Sequence, residues 1–407
     1  MENKRLPVLC EAELCTGCGA CDNSCPTDAI SLVYQNGFKH PEIDNCKCIG
    51  CLACEKSCPV TFPKSVENFT SPHVYAAWHI DDDIRKESSS GGAFSALAMA
   101  ILQNGGCVAG AAYDDNMMVN HILIDKIEQL PLLRGSKYVQ CSINNNYKQV
   151  REKLRQGVKV LFVGTPCQIS GLRSFLRKEY DNLYCCDFIC HGVPSPLLFG
   201  KYIKWFEEKY NCKVSVFNFR SKLSGWYDAL RVANGKVIAK GSGDAYFLGF
   251  NRNITLRESC YNCPSIGLPR KGDITIADFW GIGRIYKYHP MSEIEKGISL
   301  IMANNDKGEE LVKLATPYLN IEERSLDEAL AGNKPMVTSS SRPKERDTFY
   351  SDMEHMDFDN LRLKYFKLSG KAKLVAWVRE NMPHSFMVMI RSLSQFITYK
   401  KNGSKCL

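Results

Sequence analysis

Eight cysteines in two runs of the same form constrain this chain more than any other feature. The first run is Cys15-Thr16-Gly17-Cys18-Gly19-Ala20-Cys21, then Cys25-Pro26; the second is Cys48-Ile49-Gly50-Cys51-Leu52-Ala53-Cys54, then Cys58-Pro59. Both keep the spacing C-x2-C-x2-C-x3-C-P, offset by 33 residues. Thiolates are soft ligands that suit iron–sulfur clusters. Three sulfurs of one tight loop reach three corners of a cubane, and the fourth, on the short helix that follows, reaches across to the other cluster. The spacing therefore predicts one [4Fe–4S] cluster on Cys15, Cys18, Cys21 and Cys58 (cluster 1). A second is expected on Cys48, Cys51, Cys54 and Cys25 (cluster 2). Zinc sites take four ligands in two separated pairs, which eight ligands in two such runs do not match. Residues 29–34 read as a strand, Asn36-Gly37 as a hairpin turn and 38–43 as the partner strand. Residues 1–62 are thus expected to be an α+β, bacterial-type dicluster ferredoxin module, with Cys10 and Cys46 outside the ligand set.

Twenty cysteines in 407 residues could also describe a disulfide scaffold. The length, the tight Cys-x-x-Cys spacings and an opening Met1-Glu2-Asn3-Lys4-Arg5 without the apolar core of a signal peptide point instead to metal ligands in a reducing cytoplasm. No apolar run approaches the roughly 18 residues of a membrane span.

After Ser71-Pro72 the pattern changes. Strands are expected at 74–80, 107–113, 119–125, 158–164 and 183–190, and helices at 94–102, 147–156, 169–179 and 196–210. This alternation predicts an α/β body over residues 72–340 with largely parallel strands. Ligands of such sheets gather beyond the carboxyl ends of the strands. One strand ends in Gly164-Thr165-Pro166-Cys167-Gln168 and the next in Cys190-His191-Gly192, which places Cys167 and Cys190 at one sheet edge. Cys260-Tyr261-Asn262-Cys263 adds a Cys-x-x-Cys pair, so the four form a candidate third [4Fe–4S] site. Spacing alone leaves open an unrelated redox pair plus two buried cysteines. Cys185 and Cys186 fall inside the strand and read as core; Cys107, Cys141, Cys212 and Cys406 have no partner by spacing.

Ser88-Ser89-Ser90-Gly91-Gly92 precedes a helix, where free N–H groups and glycine suit a flavin phosphate. The same residues suit an ordinary N-cap. Gly135-Ser136-Lys137-Tyr138 could add a cation. No G-x-G-x-x-G follows a strand, and Gly281-Ile282-Gly283 lacks the third glycine, so a Rossmann-type nicotinamide site is not supported.

Taken together, the ferredoxin motifs, the 88–92 and 135–138 segments, Gly164-Thr165-Pro166-Cys167-Gln168, Cys190-His191-Gly192-Val193-Pro194, Arg257-Glu258-Ser259-Cys260-Tyr261-Asn262-Cys263 and Asp273-Ile274-Thr275-Ile276-Ala277-Asp278-Phe279-Trp280-Gly281 resemble the beta subunit of coenzyme F420 hydrogenase and dehydrogenase. The resemblance covers roughly residues 10–285. It implies a flavin, usually FAD, with Ser89, Ser90, Gly91, Gly92, Ser136, Lys137, Gly164 and Thr165 as contacts. It also implies a cluster beside the flavin on cysteines matching Cys167, Cys190, Cys260 and Cys263. His191 and Asp187, flanking Cys190, are candidates for relaying a proton to the flavin. The expected activity joins a two-electron substrate, reduced deazaflavin F420 or another organic compound, through flavin and clusters to a one-electron carrier such as ferredoxin. Two alternatives stand beside it. One is an electron-relay subunit without a substrate site, the other a ferredoxin-dependent reductase of an organic substrate in a biosynthetic pathway.

The charge is uneven. Residues 361–407 carry ten basic side chains against Glu380, a net +9, and the preceding 360 residues sum to −1. Thr338-Ser339-Ser340-Ser341-Arg342-Pro343 reads as a linker into a basic helical tail, 341–407. Leu374, Trp377 and Val378 form one apolar stripe, and Phe386, Met389, Ile390, Leu393, Phe396 and Ile397 another. Such a tail can meet an acidic electron-carrier protein or an anionic membrane face, or simply pack with its basic face solvated. No nucleic-acid-binding module accompanies it.

Overall fold

The structure, a computed structural model, describes residues 5–228, 230–240, 243–283, 288–368, 370, 373–374, 377 and 381–403, with backbone alone for 384 and 395–403. Val378, the side chains of Phe396 and Ile397, and Cys406 lie outside the described residues.

Strands β1 (Ile30–Gln35) and β2 (Phe38–Ile43) pair antiparallel with Gln35 opposite Phe38. Asn36 (φ 48°) and Gly37 (φ 78°) form the turn, the two successive positive φ values of the hairpin turn favoured by strand twist. The hairpin joins the two cysteine loops. Short helices Ala20–Ser24 and Ala53–Lys56 follow those loops and pack together.

The body is built on β3 (His73–His79), β4 (Cys107–Tyr113), β5 (Val119–Ile124), β6 (Val160–Gly164), β7 (Leu183–Phe188), β11 (Ile274–Asp278), β12 (Ser299–Ala303) and β13 (Leu319–Arg324). They form one sheet in the order β13-β3-β12-β11-β7-β6-β4-β5. Strands β8 (Phe217–Ser221), β9 (Leu230–Ala233) and β10 (Lys236–Ala239) make a separate antiparallel sheet. The large sheet is parallel across its centre, from β11 through β7 and β6 to β4. Toward both edges it is antiparallel, a feature the strand–helix alternation did not indicate. At one edge β5 follows β4 through a short turn and pairs with it as a hairpin, whereas at the other β12, β3 and β13 come from segments far apart in the chain, and no local pattern reports their direction.

Helices Ala93–Leu102 and Asp306–Ala315 cover one face of the sheet, and Asn146–Arg155 and Pro166–Leu176 the other. The Pro166–Leu176 helix begins three residues earlier than its apolar periodicity suggests. Thr165 accepts from the Gln168 amide at 3.4 Å while the Gln168 side chain accepts from the Thr165 amide at 3.0 Å. This capping box, with Pro166 at the first helical position, fixes the start immediately after β6.

The expected separate tail is only partly separate. Phe349, Tyr350, Met353, Phe358 and Leu361, from helices Arg346–His355 and Phe358–Tyr365, share a core cluster with Phe38 of the hairpin and with the Pro196–Tyr210 helix. Beyond them, the His384–Gly403 helix is held to the body by Arg391, whose guanidinium reaches Asp228 at 2.6 Å and Glu295 at 2.5 Å. Leu374, Trp377, Met389 and Leu393 stay exposed. No helix among the described residues is long and apolar enough to cross a membrane.

Candidate redox site

Cys15, Cys18, Cys21 and Cys58 line one internal cavity. Gly17 and Gly19, at φ 66° and 74°, turn the loop so that successive thiols face inward. The second set also converges: the Cys54 thiol is pushed up by burial, with Cys25 and Cys51 among its charged neighbours. Cys51 is exposed, and Ile49 beside it is 60% exposed, so this loop lies at the surface.

Cys10, expected outside the ligand set by spacing, also lines the first cavity. Its thiol hydrogen-bonds with Cys15 and Cys58 and pulls both below the usual thiol range. No local pattern could reveal this, because the irregular segment that carries Cys10 inward belongs to no motif.

The body cysteines meet as well. Cys167 follows β6 and Cys190 follows β7, two adjacent parallel strands. The backbone bridge between Pro194 and Leu256 brings the 257–263 segment back to them. The Cys190 thiol is pushed well up by burial and then by Cys260, Cys167 and Cys263. Burial takes Cys167 up to about 11 and Cys260 up to about 12. The four thiols are electrostatic neighbours in a buried place. As they stand they do not close on a single ion among the described residues, and a larger bound cluster would stabilise their thiolates there.

Between these thiols and the sheet edge lies a cavity of about 680 Å³, within the range of small-molecule and cofactor sites. Its wall includes Cys167, Cys190 and His191 on one side, and Ser88, Ser89, Ser90 and Gly92 on another. Thr16 and Gly17 of the first cysteine loop reach it too. Ser89 Oγ accepts from the Ser136 amide at 2.9 Å, joining the 88–92 and 135–138 segments. Gly164 and Thr165 line the same cavity.

Gly91 and Asp187 stand outside the cavity, and Lys137 lines it with its ammonium turned to its own segment. Gly91 does not line the cavity: a Cβ there would lie 2.3 Å from the Ala77 carbonyl, so this glycine serves close approach to β3. The Lys137 ammonium donates to the carbonyls of Leu133, Arg134 and Gly135 at 3.1–3.3 Å. It caps the end of the Leu130–Leu133 helix, and burial lowers it to about 8. Asp187 is fully buried and engaged elsewhere. It accepts from Thr275 Oγ1 at 2.6 Å, Arg270 Nη2 at 3.1 Å and the Gly272 amide at 2.9 Å, and does not line the cavity. His191 does line it; Nε2 meets Asn253 Oδ1 at 2.7 Å, and burial lowers the imidazole.

The 338–343 segment, expected as a linker, is part of the site. Ser340 Oγ donates to the His191 carbonyl at 2.6 Å, and Ser339 Oγ accepts from the Cys263 amide at 3.3 Å.

Sequence reasoning missed the far wall. Trp226 and Trp280 stack at 4.6 Å and 4°, and Trp226 Nε1 donates to Asp278 Oδ1 at 2.6 Å. Arg220 pairs with Asp278 at 3.3 Å and lies 5.0 Å from the centre of the Trp280 ring. Lys222 Nζ donates to the carbonyls of Arg85, Ser90 and Lys296, tying the 88–92 loop from behind. Burial and the Arg85 guanidinium lower it to about 7. The 273–281 segment carried a sequence signal but no role; Arg220 and Lys222 carried none.

With this geometry in place, the comparisons are specific. Residues 14–62 match the 4Fe-4S dicluster domain. Residues 74–146 match the N-terminal domain, and 157–329 the C-terminal domain, of the coenzyme F420 hydrogenase/dehydrogenase beta subunit. No curated protein matches the chain. Among solved structures, one similar chain belongs to the F420-reducing [NiFe] hydrogenase complex from Methanosarcina barkeri. It shares 16% identity at a TM-score of 0.46, over 69% of this chain and 92% of that one. The two beta-subunit matches together span more than half of the 407 residues, and the chain belongs to the coenzyme F420 hydrogenase/dehydrogenase beta-subunit family, with a 4Fe–4S dicluster domain at its N-terminus.

Proposed function

We propose that this chain is an iron–sulfur flavoprotein oxidoreductase. It joins a two-electron organic substrate, reduced deazaflavin F420 or another compound, to a one-electron carrier such as ferredoxin. Three [4Fe–4S] clusters are assigned: cluster 1 on Cys15, Cys18, Cys21 and Cys58, cluster 2 on Cys48, Cys51, Cys54 and Cys25, and a body cluster on Cys167, Cys190, Cys260 and Cys263. The observation that carries this reading is the cavity wall. It is formed at once by Cys167 and Cys190 of the body set and by Thr16 and Gly17 of the first ferredoxin loop.

A bound flavin supplies exchange of two electrons with a substrate and of single electrons with clusters. The chain's part is to hold and orient it. Ser89 offers its hydroxyl, and Gly92 opens the amide end of a ten-residue helix, to the flavin phosphates. The Ser88 and Ser90 hydroxyls hold the loop by donating to the Ile84 and Ile298 carbonyls. The Lys222 ammonium holds that loop in shape. Phe94, Phe250, Ile189 and Ile276 give the cavity apolar surface for a ring. Cys18 and Cys167 are electrostatic neighbours, which supports short passage between the body set and cluster 1. The exposed Cys51 loop supports a docking point for the carrier.

Iron and released flavin on anaerobically purified protein test the reading. About 12 irons per chain with bound flavin are expected. About 8 irons without flavin would overturn it in favour of a relay subunit.

A further inference from the structure

Arg257 is 1% exposed, yet none of the ion pairs among the described residues includes it. Its partners are all neutral acceptors. Nε donates to the Cys15 carbonyl at 2.6 Å, Nη1 to Gln140 Oε1 at 3.0 Å and Nη2 to the Lys39 carbonyl at 3.1 Å. The His40 ring lies 3.3 Å from Nη2. A guanidinium is always charged, and an unpaired buried charge is strongly disfavoured. Hydrogen bonds satisfy its donors here, but the net charge has no counter-ion. Among the described residues the other two arginines buried as deeply have one, Arg231 with Asp244 and Arg270 with Asp187; Arg85, 3% exposed, donates like Arg257 to carbonyls alone, but no set of thiols is its neighbour.

The missing counter-charge lies on two sides. Arg257 is an electrostatic neighbour of Cys15 in the ferredoxin module and of Cys167 and Cys260 in the body. The loop of cluster 1 is shaped around it. A Cβ on Gly17 would sit 2.9 Å from Arg257 Nη1 and 2.4 Å from Gln140 Nε2, so only glycine admits the guanidinium this close. Ser259, two residues on, donates to the same Cys15 carbonyl at 3.1 Å.

We propose that Arg257 is the shared counter-charge of cluster 1 and the body cluster, a positioning residue that tunes both toward accepting an electron. The proposal rests on the three-cluster reading. A cubane held by four thiolates is anionic and gains a further negative charge on reduction, so a fixed cation in a low-dielectric seam stabilises the reduced form of each neighbour. None of the hydrogen-bond partners of Arg257 is a cysteine of cluster 2, which is expected to receive little of this field.

The test is redox titration of the full chain by electron paramagnetic resonance, with iron content measured alongside. Arg257→Gln is expected to cost cluster 1 and the body cluster at least tenfold in electron affinity, about 59 mV for one electron. Cluster 2 is expected to change by less than twofold. Arg257→Lys, which keeps the charge but loses the fork, is expected to recover most of that loss. Should Arg257→Gln fail to assemble, Gln140→Glu provides the second route: a carboxylate 3.0 Å from Nη1 neutralises the charge with the guanidinium still seated. It is expected to move the same two clusters in the same direction. Unchanged potentials in Gln140→Glu, or an Arg257→Lys variant no better than Arg257→Gln, would leave Arg257 a structural tie and overturn the proposal. About 8 irons in the wild type would refute the body cluster alone; the shift expected of cluster 1 would still be measurable and still decisive.

Discussion

The ferredoxin module and the body each gather cysteines at one point, but by opposite means. In the module, the eight motif cysteines fall between Cys15 and Cys58, and two tight loops turn them inward through positive-φ glycines. In the body, four cysteines are spread from Cys167 to Cys263, and they meet only because β6 and β7 are parallel neighbours and a bridge returns the 257–263 segment. A site made mostly by two short loops depends chiefly on their local turns. A site made by a sheet edge depends on the whole sheet.

The widest separation between the two regions is expected in iron content. Cys263→Ser is expected to remove about 4 of about 12 irons and leave the ferredoxin signals intact, whereas Cys58→Ser removes cluster 1 and isolates the body from cluster 2. Each variant is expected to lose about 4 irons from its own region. Loss of the ferredoxin signals in Cys263→Ser, or of the body signal in Cys58→Ser, would mean that the two regions assemble as one unit, and the comparison would fail.

Stability is expected to be most sensitive in the body. Arg270→Met strands the fully buried Asp187 carboxylate beside β7 and β11 and is expected to destabilise by about 3–5 kcal/mol. Denaturant unfolding of the variant measures this, and a change below about 1 kcal/mol would mean that Asp187 is held by its neutral donors alone.

The seam between the regions comes next. Gly17→Ala forces a side chain into a left-handed position against Gln140 and Arg257 and is expected to cost about 1–3 kcal/mol. If the module were merely tethered, limited proteolysis would cut wild type and variant near residue 65 equally fast; faster cutting of the variant is expected.

The smallest effect belongs to Tyr147→Phe. Its buried hydroxyl lies 2.8 Å from the Cys18 carbonyl and 2.7 Å from the Gln168 carbonyl, so one proton is shared between module and body. Its loss is expected to cost about 1 kcal/mol, read as a lower denaturant midpoint with an unchanged slope.

How much could be read beforehand follows the same division. The expected hairpin and the helices at 196–210 and 94–102 are local features, and each appears within a residue or so of its expected bounds. The serine–glycine loop was legible as the entry to a helix, but the work of individual residues within it was not. Gly91 faces β3, Lys137 turns back on its own helix end, and Asp187 answers to Arg270. Each of these outcomes depends on a partner from another segment. Cys10 and the 338–343 segment were passed over for the same reason: their neighbours at the site lie on other segments.

By itself the sequence determined that the N-terminal segment is a 4Fe–4S dicluster domain, because its cysteine spacing is a property of two tight loops. It also determined where α/β alternation begins, because strand and helix periods are local properties of the chain. The antiparallel β13-β3-β12 edge of the sheet, the aromatic and cationic far wall of the cavity, and the placement of Arg257 between two sets of thiols were decided by tertiary structure alone. Those features arise where segments from distant parts of the chain are packed together. Close packing and the cost of burying an unpaired charge then settle which side chains face one another, and neither acts along the sequence.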